Sequence, residues 1–210
     1  ARLVSFRESD LERGNCGEAV VETVRQITEA LIWGDKNDTH FFDFFCEKNM
    51  LSDFVRVIGL SKAPNKVKLQ LLQTMSMLIS NITCQTSVYY LLSNNHINRL
   101  IKTPLDFEDE EILAYFVNFL KSLAMRLDSE TIKFFFIQHP VPSFPLYSEA
   151  VKFFDNGDNM VRAAVRTITL KVLGIDDPGM RRFVLRHAAE SYFINIAYYL
   201  RDVWVRLDLA

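Results

Sequence analysis

The chain has 210 residues, 49% hydrophobic and 24% charged, with a net charge of −2. A chain of this length can bury roughly 70% of its unfolded surface around one core, and its near-neutral charge sets up no global field for nucleic acid or an anionic membrane. Seventeen Phe and seven Tyr stand against only seven Gly, which leaves little room for a turn-rich all-β fold.

Apolar residues recur at helical spacing along the chain. VVETVRQITEALIW puts Val20, Val24, Ile27 and Leu31 on one face and predicts the first long helix. HFFDFFCEKNMLSDFVRVI, residues 40–58, reads as two short helices, closed near Leu60 before Pro64. VKLQLLQTMSMLISNI gives the second long helix, with Leu71, Met75, Leu78 and Ile82 in line. TSVYYLLSNNHINRLIKTP, residues 86–104, aligns with the first short pair at an offset of 46, matching Phe44 to Tyr90, Phe45 to Leu91, Asn49 to Asn95 and Phe54 to Leu100.

After Pro104, DFEDEE loads five carboxylates into six residues at a helix start, where anions favour the helix dipole and cap free amides. EEILAYFVNFLKSLAMRL then lines up Ile112, Phe116, Phe119, Leu123 and Leu127, and MVRAAVRTITLKVL lines up Val161, Val165, Ile168 and Val172. Short, medium and long helices repeating at roughly 40–47 residues have the period of armadillo and HEAT proteins, whose units bury apolar faces against their neighbours. The expected fold is all-α, an armadillo/HEAT-like helical repeat solenoid in a single domain over residues 1–210.

Half of the six prolines fall in HPVPSFPLYSEA, residues 139–150. Pro140 and Pro142 cannot continue a helix ending near Gln138 and hold the link extended. Ser143 is placed to cap the next helix, from about Pro145 to Phe154, and Pro145 suits its first turn. Phe144 and Leu146 then pin the corner into the core. The same string reads P-x-x-P from Pro142 to Pro145, a ligand pattern for aromatic-lined grooves that burial of its neighbours would block.

Residues for catalysis or metal binding are hard to find. His40, His96, His139 and His187 are scattered, and Cys16, Cys46 and Cys84 are odd in number and far apart. No phosphate-binding glycine loop or nucleophile elbow occurs. Catalytic residues, cofactors and metals are therefore all expected to be absent. Two glycosylation sequons, Asn37-Asp38-Thr39 and Asn81-Ile82-Thr83, are short enough to arise by chance. No signal peptide or long apolar span occurs, and the chain opens on Ala1, which suggests a cytosolic piece of a longer protein.

In armadillo-type solenoids the third helix of each unit lines a concave groove. On that arrangement Gln70, Gln73, Thr74, Asn118, Lys121, Arg162 and Arg166 face a partner, with Arg162 and Arg166 foremost. The competing reading pairs the arginines with local carboxylates such as Asp155 or Asp158 and leaves the others as a solvated face.

Seven blocks in one order, IWGDKND (32–38), FFDFFCEKNM (41–50), LQLLQT (69–74), SVYYLLSNN (87–95), DFEDEE (106–111), FPLYSEAVKFF (144–154) and MVRAAVRTITL (160–170), resemble the FPL-domain family, named for the motif that stands here as Phe144-Pro145-Leu146. The match is densest over about residues 17–176. The resemblance implies an N-terminal fragment of a large trafficking protein, cytoplasmic and at most peripheral on endosome, lysosome, vacuole or Golgi membranes, acting in endosome maturation and autophagy. It implies a non-catalytic scaffold whose partners are tethering-complex subunits, Rab-class GTPases and a ubiquitin ligase, and it supplies no catalytic residues. The rival roles are a direct regulator of a Rab-class GTPase, an adaptor for a ubiquitin ligase, and an enzyme with a site visible only in three dimensions. Three cysteines give no support to the lectin grouping in which an animal member has been filed.

Overall fold

The computed structural model describes residues 16–93, 95–189 and 192–208. Eleven α-helices occur among them, joined by turns and two short 3₁₀ segments, so the all-α expectation holds. They are α1 (Cys16–Asn37), α2 (His40–Glu47), α3 (Met50–Ile58), α4 (Asn65–Asn81), α5 (Gln85–Ser93), α6 (His96–Ile101), α7 (Glu110–Met125), α8 (Pro145–Ala150), α9 (Asn159–Leu173), α10 (Pro178–Ala189) and α11 (Tyr192–Asp208).

Long helices α1, α4, α7 and α9 lie side by side as a row, each packed on the one before it. A second row, α3, α6 and α8, packs in the same order, with α3 on α4 and α8 on α7 and α9. Most of the residues that line up in the sequence vanish from solvent, including Leu71, Met75 and Leu78 on α4, Ile82 just past its end, and Ile112, Phe116, Phe119 and Leu123 on α7, while Ile27 on α1 is half-buried. A fully buried side chain of this size contributes about 1.5–3 kcal/mol.

Polar bonds tie one turn of the row to the next. Thr28 of α1 and Thr74 of α4, 46 residues apart, join their buried hydroxyls at 3.0 Å. Asp35, near the end of α1, accepts from the Thr83 amide at 2.6 Å, the Thr83 hydroxyl at 2.9 Å and the Cys84 amide at 3.1 Å, which secures the chain entering α5. Burial alone would raise the Asp35 carboxyl, but these bonds outweigh it and hold it below the ordinary range. Arg126, just past α7, donates to the carbonyls of Ile79, Ser80 and Ile82 and so closes the end of α4.

The acidic run behaves as a helix start. Asp109 is the N-cap of α7, accepting from the amides of Glu111 and Ile112, and it also accepts from the Asn65 side chain at the start of α4 at 2.7 Å. The matched asparagines of the two short pairs differ in conformation. Asn49, before α3, is left-handed at φ 50°, whereas Asn95, before α6, is right-handed at φ −60°. Asn tolerates both.

The proline corner departs from expectation in four ways. Residues ahead of it form only a 3₁₀ turn, Ile132–Phe134, so no helix reaches Gln138. Ser143 does not cap α8; its backbone pairs with Ile137 in a two-way bridge of 2.9 and 2.8 Å, and Phe144 takes the cap position without a side-chain bond. The link is therefore folded back rather than extended. The helix from Pro145 also breaks after Ala150 into a 3₁₀ turn, Val151–Phe153. What does hold is the anchoring: Phe144, Pro145 and Leu146 are all buried, so one of the two prolines of the P-x-x-P pattern, Pro145, lies in the core while Pro142 stays exposed.

Candidate functional site

The row of long helices ends in a groove between α9 and α11, about 490 Å³ in volume. Asp158 caps α9 by accepting from the Met160 amide at 2.7 Å, which fixes the phase of the helix and turns Arg162, Val165 and Arg166 into this groove. Phe154, Tyr192 and Ile196 line it from the facing elements, and Tyr198, Tyr199 and Asp202 add a polar rim from α11. Phe154 meets Tyr192 edge-on at 5.7 Å, so the floor is a packed aromatic contact.

Arg162 and Arg166 are brought together here but are held differently. Arg162, half-buried, donates to the carbonyls of Asn156 and Gly157 (3.0 Å to the latter) and to the Asn159 side-chain oxygen. Its acceptors are neutral, so pairing with Asp155 or Asp158 is not what fixes it, and its charge remains. Arg166 is exposed and has no carboxylate partner among the described residues. Asp202, across the groove, is already paired with Arg206. Asp155 lines the same groove from the loop ahead of α9.

The other expected contact residues do not join them. Thr74 is 0% exposed and spends its hydroxyl on Thr28, which corrects its assignment to a partner face. Half-buried Gln70 and exposed Gln73 line a separate shallow groove between α1 and α4, beside Glu18, Glu22 and Lys66. Asn118 is exposed and Lys121 half-buried on α7, away from the α9–α11 groove.

The histidines also separate. His40 sits 2.6 Å from Asp38, whose carboxylate raises its pKa, and His96 is half-buried, which lowers its own. His139 is exposed in the proline corner, and the side chain of His187 lies outside the described residues. Cys46 and Cys84 are free thiols. Among the described residues no three His, Cys, Asp or Glu come together as metal ligands, and no helix is long and apolar enough to cross a membrane.

Sequence reasoning missed the α11 wall. Its signal was the aromatic run of YFINIAYYLRDVW, which lies beyond the blocks that carry the family resemblance. It also missed an exposed aromatic cluster where α1 meets α2, in which Trp33 stands edge-on to Phe41 at 5.7 Å and Lys48 covers the Phe44 ring at 5.3 Å.

These features define an all-α protein with a solvent-open groove of mixed aromatic and cationic lining at the end of a helical row. The chain belongs to the FPL family, whose model, described as an uncharacterised conserved protein, matches residues 24–173. It is 46% identical over 191 residues to Protein CLEC16A of Mus musculus, covering 90% of this chain and 18% of that protein. To the Drosophila melanogaster CLEC16A homolog it is 45% identical over 190 residues, 90% of the chain and 18% of the relative. Protein TRANSPARENT TESTA 9 of Arabidopsis thaliana is 39% identical over 181 residues, 85% of the chain and 22% of the relative. The chain thus spans about a fifth of the length of these relatives. No solved structure matches it to a significant level.

Proposed function

We propose that this chain is an armadillo-like solenoid serving as a non-catalytic protein-interaction scaffold in endosome-to-lysosome or vacuole trafficking and in autophagy. It works in the cytoplasm, peripherally on the membranes of those organelles or the Golgi, and its partners come from tethering complexes, Rab-class GTPases and a ubiquitin ligase. Support for the trafficking role is the family relation to CLEC16A and TRANSPARENT TESTA 9 proteins. Support for the solenoid is the two-row order of α1, α4, α7, α9 and α3, α6, α8.

The observation that carries a binding role is the α9–α11 groove, where Arg166 stands open beside an aromatic floor. Arginine and tyrosine beside buried apolar groups are the residues that dominate protein interfaces. The test is rescue: cells lacking the endogenous protein receive full-length wild type or Arg166→Glu at equal abundance, and delivery of an endocytosed cargo to lysosomes is timed. Impaired delivery with Arg166→Glu is expected. Normal delivery, with the protein correctly folded, would remove the groove from the function.

A further inference from the structure

Counted from their first residues, Asn65, Glu110 and Asn159, the helices α4, α7 and α9 superpose in burial. Their third, seventh, tenth and fourteenth residues are buried in all three: Val67, Leu71, Thr74 and Leu78; Ile112, Phe116, Phe119 and Leu123; Val161, Val165, Ile168 and Val172. The next residue after each makes a second stripe. On α4 this is Lys68, Leu72, Met75 and Ile79, and on α7 it is Leu113, Val117, Leu120 and Ala124, all buried.

On α7 this second stripe faces the following helix of the row: Leu113 and Val117 cluster with Val161 and Val165 of α9. On α9 it reads Arg162, Arg166, Thr169 and Leu173, and the first two open into the groove beside α11.

We propose that this groove receives one amphipathic α-helix from a partner polypeptide, laid along α9 where the next long helix of the row would lie, with an acidic side chain against Arg166 and an apolar one against Ile196. The inference deepens the scaffold reading and rests on it. A helix is the occupant because the site continues an interface that accepts a long helix at each earlier step, α1 to α4, α4 to α7 and α7 to α9. Its acidic character follows from Arg162 and Arg166, which stand where α7 has Leu113 and Val117.

Both arginines keep unneutralised charge, since Arg162 meets only neutral oxygens and Asp202 is committed to Arg206. A partner fits better than a further repeat of the same kind, because arginines leave the empty groove stable in water, whereas a repeat helix needs the apolar stripe of α4 and α7. A polyanion such as nucleic acid or a lipid surface fits less well, because Asp155 and Asp202 share the groove.

The test uses the 210-residue chain and two fluorescein-labelled synthetic helices. Both carry leucines at i, i+4, i+7 and i+11, flanked in one by glutamates and in the other by lysines. Fluorescence anisotropy at low and physiological salt should show the glutamate helix binding about tenfold more tightly. Arg166→Glu should invert that preference, and Arg166→Leu should narrow it, both with unchanged circular-dichroism melts. Equal binding of the two helices, no binding by either, or no inversion would overturn the proposal. Slow cargo delivery in Arg166→Glu cells together with no helix binding would keep the groove's role and reject the helix. Inverted helix preference with normal cargo delivery would uphold the helix and reject the trafficking role.

Discussion

The seam between α7 and α9 and the groove between α9 and α11 use the same helix positions for opposite ends. At the seam, Leu113 and Val117 are buried against Val161 and Val165. One step further along, the corresponding places hold Arg162 and Arg166, and the surface stays open to water. The difference lies in two side chains, not in the helix: both helices start at an aspartate cap, and both bury the same first stripe. The α9 face can therefore stay charged and hydrated without losing the packing that precedes it.

Four substitutions test this contrast. Val117→Arg places at the seam what the groove carries, and it should cost about 4 kcal/mol or more, because the charge would be buried without a partner. Against a total of roughly 5–15 kcal/mol for a domain, this should appear as partial unfolding or a steep fall in Tm by calorimetry. If Val117→Arg melts like wild type, the seam is far looser than its burial indicates.

Phe116→Ala removes a side chain that meets Phe107 and Phe153 at ring-centroid distances of 5.0 and 6.4 Å. A loss of about 3–5 kcal/mol is expected in urea titration, as for other aromatic truncations in cores. A cost below about 1 kcal/mol would mean that α8 and its 3₁₀ turn collapse freely into the space.

Asp35→Asn tests the tie from α1 to α5. The carboxyl is depressed in the folded chain, so its contribution is present above the unfolded value of about 3.9 and is lost as pH falls through the folded pKa. At pH 7 the substitution should cost about 2 kcal/mol, and the gap between wild type and variant should begin to close only as the pH falls below about 4. A gap that stays constant with pH would contradict the hydrogen-bonded carboxylate.

Arg166→Leu should be the mildest, within about 0.5 kcal/mol of wild type, because the side chain is exposed and unpaired. The reverse substitution at the seam is the severe one, so the pair of melts measures how differently the two faces treat one residue type.

Much of the fold was legible in the chain. The stripes through Val20, Leu71, Phe116 and Val165 located the four long helices, because a core-facing helix must repeat its apolar residues near 3.6. Pro64, Pro104 and the aspartates of DFEDEE marked boundaries, because proline and helix caps act within a few residues of chain. Arg162 and Arg166 were legible as an i, i+4 pair on the polar side of α9.

The tertiary structure decided what local rules cannot reach. It sent Ser143 to Ile137 rather than to the helix start, since a backbone bridge across the proline corner was available. It buried Thr74 against Thr28, although a threonine on a polar flank reads as exposed. It separated Gln70 and Gln73 from the arginines and supplied Tyr198, Tyr199 and Asp202 from α11 to face them. Helical period states which residues share a face; which neighbour covers that face depends on residues distant in sequence, and only the packed chain fixes it.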